Sequence, residues 1–446
     1  MIRTPVRPWL ALAALAVSLF ALTGCGGKDG TSVGGSDSTP KAPKIADTHA
    51  RANDGDYDAA GATTITLADG GSTAKGAGAT VKGDVVTISK AGTYVLAGSL
   101  SDGQVKVNSA GKGKVRLVLN GVDVSSASTS PLVITAADEA VVILADGTKN
   151  TLSDAAAASK DDEQPDAPTA TLFSASDLTI AGAGSLTVNG KSNDGIVGKD
   201  GLVVLGGTLT VDAVDDAIAG KDYLVINDGT LTLTATGDAL KSNGDTPGKL
   251  GWVRLDGGTT TVESVGHGVS AEGSVALTGG TLDVTKSDDG IKAPVVTVSG
   301  GTVSVTALGD GIKASTGGGV PGAPKVVEKG VKLTITDGTV NIDAGGDGID
   351  ARGQATITGG VVTIGKLGKN AIDVLGVSKT PNKLTLPLAT PGKVELKDTN
   401  GAVVARFTAA KAGTRVVMAK GITTGQTYTV TVDGNAAGTV TAISQV

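Results

Sequence analysis

Carboxylates and ammonium groups recur at a near-fixed interval through the second half of this chain. Residues of these two kinds, in register, can either hold a hard cation or neutralise one another as ion pairs. A polar residue opens a short motif, most often Asp-Gly-Ile, at Asp194, Asp216, Asp238, His267, Asp289, Asp310, Asp347 and Asn370. Five of the seven intervals between them are 21 to 23 residues. Further acids stand beside them at Asp215, Asp288 and Asp350, and Lys199, Lys221, Lys241, Lys292, Lys313 and Arg352 each follow an Asp of the series by three or five residues. If successive repeats stack, neighbouring carboxylates come to about 5 Å and repel by roughly 3 kcal/mol at an effective dielectric near 20. Two neutralisers are open. One is a ladder of ion pairs with the basic residues. The other is calcium, which takes roughly six to eight oxygens and would find carbonyls exposed at glycine-rich bends beside the acids. The expected calcium ligands are Asp215, Asp216, Asp238, Asp288, Asp289, Asp310, Asp347 and Asp350. His49 and His267 are the only histidines. No Ser-His-Asp set has plausible spacing, and His267 is assigned no chemistry.

The elements that must position these residues follow from the same repeat. The residue after the polar one is always small (Gly195, Ala217, Ala239, Gly268, Gly290, Gly311, Gly348, Ala371), and the next is always aliphatic (Ile196 through Ile372). A small residue suits a bend where a Cβ would clash or φ turns positive, and an aliphatic residue at one phase of every repeat builds a continuous core. About ten residues on comes a second bend, Gly-Gly or Asp-Gly. It is followed by an alternating strand such as Thr208-Leu209-Thr210-Val211, Thr230-Leu231-Thr232-Leu233 or Thr302-Val303-Ser304-Val305. Period-two alternation predicts half-buried strands, each too short to bury its own apolar face. Stacking them predicts an all-β fold: a right-handed single-stranded parallel β-helix, a solenoid with coils of about 22 residues.

Composition agrees with many tight bends around a narrow aliphatic core: 68 of 446 residues are Gly and the nine aromatics are few. Residues 1–24 read as an export signal, with Arg3 and Arg7 ahead of an uncharged apolar run too short to span a bilayer, ending at Leu22-Thr23-Gly24 before the sole cysteine, Cys25. This resembles a bacterial lipoprotein signal, with Cys25 as the lipidated first residue of the mature chain. Residues 25–60 are expected to be a flexible tether, 61–383 the solenoid, and 384–446 a small C-terminal antiparallel β cap. Loss of the signal removes two arginines and no acid, which moves the net charge from −6 to −8 and argues against nucleic acid or an anionic membrane surface as partner. One cysteine forms no internal disulfide.

From Thr63 to Asn189 the repeat is looser, and the charged stretch Ser159 to Asp166 reads as a loop. Two repeats carry Gly- and Pro-containing insertions after the Asp-Gly-Ile corner, Ser242 to Lys249 and Ser315 to Lys329, expected to project from one side as groove walls.

The segments Val85 to Leu100 (VVTISKAGTYVLAGSL), Asp102-Gly103-Gln104, Val115 to Asp123 (VRLVLNGVD), Gly147 to Asp154 (GTKNTLSD) and the Asp-Gly-Ile repeats, in that order, resemble bacterial surface carbohydrate-binding proteins with a polysaccharide-lyase-like right-handed β-helix. The likeness covers roughly residues 57–435. It implies binding of plant-type, particularly acidic, polysaccharides with bound calcium and without established lyase activity. Too few aromatics remain for a flat stacking strip, so the expected sugar-binding residues are Lys221, Tyr223, Lys241, Trp252, Lys292, Lys313 and Arg352. The expectation is a monomeric, non-catalytic polysaccharide binder on the extracellular face of a bacterial cell membrane, held there by its lipid anchor alone. The alternatives are a calcium-dependent lyase with Lys313 or Arg352 as base, and a structural or adhesive surface protein with no defined glycan.

Overall fold

The computed structural model describes residues 44–155, 168–244, 250–317 and 324–442. The expectations for the signal, for Cys25 and the start of the tether, for the loop Ser159 to Asp166, and for 245–249 and 318–323 of the two insertions lie outside these residues.

Each repeat contributes three strands, as in Gly201–Val204, Thr208–Ala213 and Ile218–Gly220. The middle strand alternates as expected, with Leu209, Val211 and Ala213 buried and Thr208, Thr210 and Asp212 exposed. The first is apolar throughout and buried on both sides. The third has only three residues and follows the Asp-Gly-Ile corner. Every strand pairs in parallel with its counterpart one repeat on, so that Leu209 faces Leu231 and Ile218 faces Leu240. The second bend does need positive φ: Gly229 sits at +112°, where only glycine is at ease. The small residue after Asp has a different cause. A Cβ on Gly195 would lie 2.3 Å from Val211 Cγ1 and 2.6 Å from the Ala217 carbonyl oxygen.

The strands form sheets of 23, 13 and four strands, the second made of the short corner strands. In the largest, pairing runs from Lys114–Ser126 through Glu139–Leu144, Leu178–Gly182, Gly201–Val204, Tyr223–Ile226, Trp252–Leu255 and Ser274–Leu277 to Val295–Ala307. It returns through Thr281–Lys286, Thr259–Ser264, Thr230–Ala235, Thr208–Ala213, Ser185–Gly190 and Lys149–Asp154 to its start. This is a closed, barrel-like ring of 14 parallel strands with further strands added to it. It corrects the expectation of an open right-handed single-stranded parallel β-helix. The physical reason is that Lys114–Ser126 and Val295–Ala307, 13 residues each, run through the second bend without breaking and so pair on both sides of it. Inward side chains from Ile65 to Met418 make one continuous core.

One further correction concerns the N-terminal end. Residues 45–54 are not free tether: Ile45 and Ala50 pack with Val203, Val225 and Trp252 on the outer side of the first strands of the repeats, and Asp54 pairs with Lys114. At the other end Lys383–Leu388 and Gly413–Ala419 join the 23-stranded sheet, the latter antiparallel to Val361–Leu367, whose edge it covers. Only the four strands Gly392–Lys397, Val403–Ala409, Thr427–Val432 and Asn435–Thr441 stand apart as an antiparallel sheet.

Candidate functional site

The polar corner residues fall in one line, because the corner backbone itself pairs repeat to repeat: Gly195 N–H donates to the Asp216 carbonyl at 2.9 Å and Ala217 N–H to that of Asp238 at 3.0 Å. One oxygen of each carboxylate is taken by the chain. Asp216 N–H donates to Asp194 Oδ1 at 3.0 Å, Asp238 N–H to Asp216 Oδ1 at 2.8 Å and His267 N–H to Asp238 Oδ1 at 2.7 Å. The series resumes with Asp310 N–H on Asp289 Oδ1 at 2.9 Å, Asp347 N–H on Asp310 Oδ1 at 2.8 Å and Asn370 N–H on Asp347 Oδ1 at 2.9 Å. A buried N–H left without a partner costs about 1–3 kcal/mol, so these acids first of all hold the stack together.

The second oxygens face cations. Lys241 Nζ lies 2.7 Å from Asp216 Oδ2, and Lys313 Nζ lies 3.1 Å from both Asp289 Oδ2 and Asp310 Oδ2. Lys325, from the second insertion, reaches Asp347, Asp350 and Asp373 at 3.5, 3.2 and 2.6 Å. Arg352 Nε is 3.4 Å from Asp350 Oδ2. Burial works against the charged form of Lys313, but Asp289 and Asp310 outweigh it and push its pKa above the usual lysine value. The basic residues do not form one column. Lys241, Lys292 and Lys313 are middle residues of their short strands and stand in register through Ser270, with Asp350 and Asp373 continuing the row. Lys221 and Arg352 stand past the ends of their strands. Lys292 Nζ approaches His267 Nε2 at 3.0 Å. Sequence reasoning missed Lys325 and Asp373. The first lies in a Gly- and Pro-rich insertion, and the second directly follows the last aliphatic corner position, Ile372.

Two groups bring oxygens or nitrogens within 4.8 Å of one another in a way that could hold a metal: Asp194 with Asp215 and Asp216, and His267 with Asp288 and Asp289. A lysine stands on one acid of each group, Lys241 on Asp216 and Lys313 on Asp289. At the second group Lys313 already neutralises Asp289, and burial lowers the pKa of His267. At the first, burial and then the neighbouring Asp216 carboxylate push Asp194 up to about 7. No ammonium lies within ion-pair distance of Asp194 among the described residues, while Asp215 is exposed. Asp194 and Asp215 leave oxygens open to a divalent cation, which would share Asp216 with Lys241. The same corner opens on a groove of about 450 Å³ lined by Asp194, Asp216, Lys199, Lys221, Lys241 and Asn243.

The two aromatics lie on another face. Trp252 is 5% exposed and stacks on Tyr223 with ring centroids 4.8 Å apart. Tyr223 in turn stacks on His49, and its hydroxyl meets His49 Nδ1 at 2.7 Å. Their expected role of holding a sugar ring is corrected for Trp252, which is buried among Tyr223 and the N-terminal residues Ile45 and Ala50.

A family model described as "Carbohydrate-binding domain-containing protein" matches residues 82–316 and again 265–442. The chain belongs to this family. A protein of the same description from Acetivibrio thermocellus is 33% identical over 204 residues, 46% of this chain and 65% of its own length. The chain thus spans about 65% of the curated relative it matches. A solved structure described as a polysaccharide lyase-like protein from C. thermocellum, gadolinium derivative, is 29% identical with a TM-score of 0.46, covering 54% of this chain and 93% of that one.

Proposed function

We propose that this protein binds an acidic polysaccharide without cutting it. The observation that carries the reading is the row of Lys241, Lys292 and Lys313 on neighbouring short strands, beside a groove at whose edge Asp194, Asp215 and Asp216 converge. Ammonium groups presented repeat by repeat suit a linear polymer that carries carboxylates along its length. Calcium, when bound at Asp194, Asp215 and Asp216, would bridge those carboxylates to the polymer; Lys221 and Arg352 extend the basic surface. Asp238, Asp289, Asp310, Asp347 and Asp350 then serve the stack and its lysines. The export signal and the lipid on Cys25 belong to the same proposal, placing a monomeric binder at the outer face of a bacterial membrane.

The chemistry of the cations favours binding over lyase action. Lys313 is held between two carboxylates that keep it protonated, so it is not poised to take a proton, and Arg352 is engaged by Asp350 and Glu328.

The test is thermal unfolding after chelation, then with calcium, then with calcium and polygalacturonate. A rise at each addition is expected, since a ligand that prefers the native state stabilises it by mass action. No shift with calcium would sink the ion site, and no shift with the polymer would sink the acidic ligand. Incubation of the same mixture is expected to yield no unsaturated product, and mass spectrometry of the mature N-terminus to find an acylated Cys25.

A further inference from the structure

On the side of the molecule served by the middle strands, a cleft of about 940 Å³ lies between the main sheet and the four-stranded C-terminal sheet. It shares no residue with the acidic ladder, and its size is that of a small-molecule site, roughly 300–1,000 Å³. Its floor is built from register partners. Asp283, Ser304 and Asn341 stand one per repeat, about 4.8 Å apart as neighbouring parallel strands require, with Thr302 and Thr339 beside them. The wall carries Lys393, Glu395 and Arg406. Floor and wall are fastened together by the antiparallel pairing of Val361–Leu367 with Gly413–Ala419 and by Arg415, 3.2 Å from Asp343.

Most of the charge in the cleft is already spent internally, Arg415 on Asp343 and Arg406 on Glu395 at 2.6 Å. What remains is a set of uncommitted hydrogen-bonding groups. Asn341 Oδ1 accepts from Thr363 Oγ1 at 2.8 Å, which leaves its amide nitrogen to donate. Asp283, Ser304, Thr302 and Thr339 make no side-chain hydrogen bond within the described residues, and the buried Nε–H of Arg415 also lacks a partner. Along the row the groups run from acceptor at Asp283, through both at Ser304, to donor at Asn341. An anion would meet the Asp283 carboxylate, and Phe407, 5% exposed, offers no face for stacking. A ligand with hydroxyls that both donate and accept, and no charge, satisfies the set. The geometry points to this cleft as a second saccharide site that takes the hydroxyl edge of a neutral oligosaccharide. The inference rests on the carbohydrate-binding reading but not on calcium or an acidic polymer.

The test is calorimetric titration of the whole protein with neutral hexasaccharides of glucose, mannose and xylose, and in parallel with polygalacturonate plus calcium. At least one neutral hexasaccharide is expected to bind, about tenfold more weakly in the Ser304→Ala, Asn341→Ala double variant, as loss of two hydrogen bonds implies. Thr302→Trp, which fills the cleft from an exposed position, is expected to abolish that binding and leave polygalacturonate binding unchanged. No neutral hexasaccharide binding, or binding that survives both variants in folded protein, overturns the cleft and leaves the acidic site standing. Loss of polygalacturonate binding alone overturns the acidic site and leaves the cleft.

Discussion

At Asp310 one carboxylate oxygen accepts the Asp347 N–H at 2.8 Å while the other faces Lys313 at 3.1 Å, so structure and charge meet in a single side chain. Asp310→Ala removes both contacts and is expected to cost about 1–3 kcal/mol in denaturant unfolding, whereas Asp310→Asn keeps an acceptor for the N–H and should cost less. Asp194 makes the opposite contribution. Its pKa is raised in the fold to about 7 from an unfolded value near 3.8, so the native state binds more protons than the unfolded one between those values. Stability from this group is full below about pH 4 and is lost as pH rises through about 7. Thermal unfolding across that range should show the fall, and Asp194→Asn or saturating calcium should flatten it. The spacing of these acids was legible in the sequence; pairing with lysines was one of two readings left open there, and it holds at Lys241 and Lys313 and at the unforeseen Lys325. The acids' service to the backbone was not legible. Nothing in residue type tells that the N–H of the next corner lacks a strand partner and must find a carboxylate.

Among the elements, the alternating strands were the most legible, because Leu209, Leu231 and Leu282 at period two declare which side is buried whatever the packing around them. The 13-residue strands were not legible. Whether Asn120-Gly121 or Gly300-Gly301 breaks a strand or is carried through it depends on pairing with the neighbours on both sides. Trp252 was misplaced for a related reason: the segment that covers it lies far away in sequence, and His49 is 174 residues from the Tyr223 it stacks on. That segment behaves as a strap. Ile45 and Ala50 pack by Trp252, His49 bonds Tyr223 and, at 3.0 Å, Thr179, and Asp54 ends the run on Lys114 at 2.6 Å. His49→Ala should loosen it, with a cost of about 1–3 kcal/mol for the partners left unpaired. The Trp252 emission should shift to longer wavelength as water reaches the indole, and an unshifted spectrum would mean the strap is held by its other contacts.

For the molecule as a whole, the fate of the last exposed edge matters most. Val361–Leu367 is covered by Gly413–Ala419, which places Val417 and Met418 opposite Thr363 and Val362. Ending the chain after Asn382 would uncover that edge, and an open apolar edge recruits strands from other molecules. Sedimentation velocity should then show self-association that the full chain lacks. The strap has a mechanical consequence of its own. The chain enters the folded body beside Trp252, midway along its flank, and only then runs back toward Lys114 and the first strands. A pull on residue 44 would therefore act near the middle of the flank and away from either tip. It would peel contacts in sequence from Ile45 onward before any load reached the stacked strands.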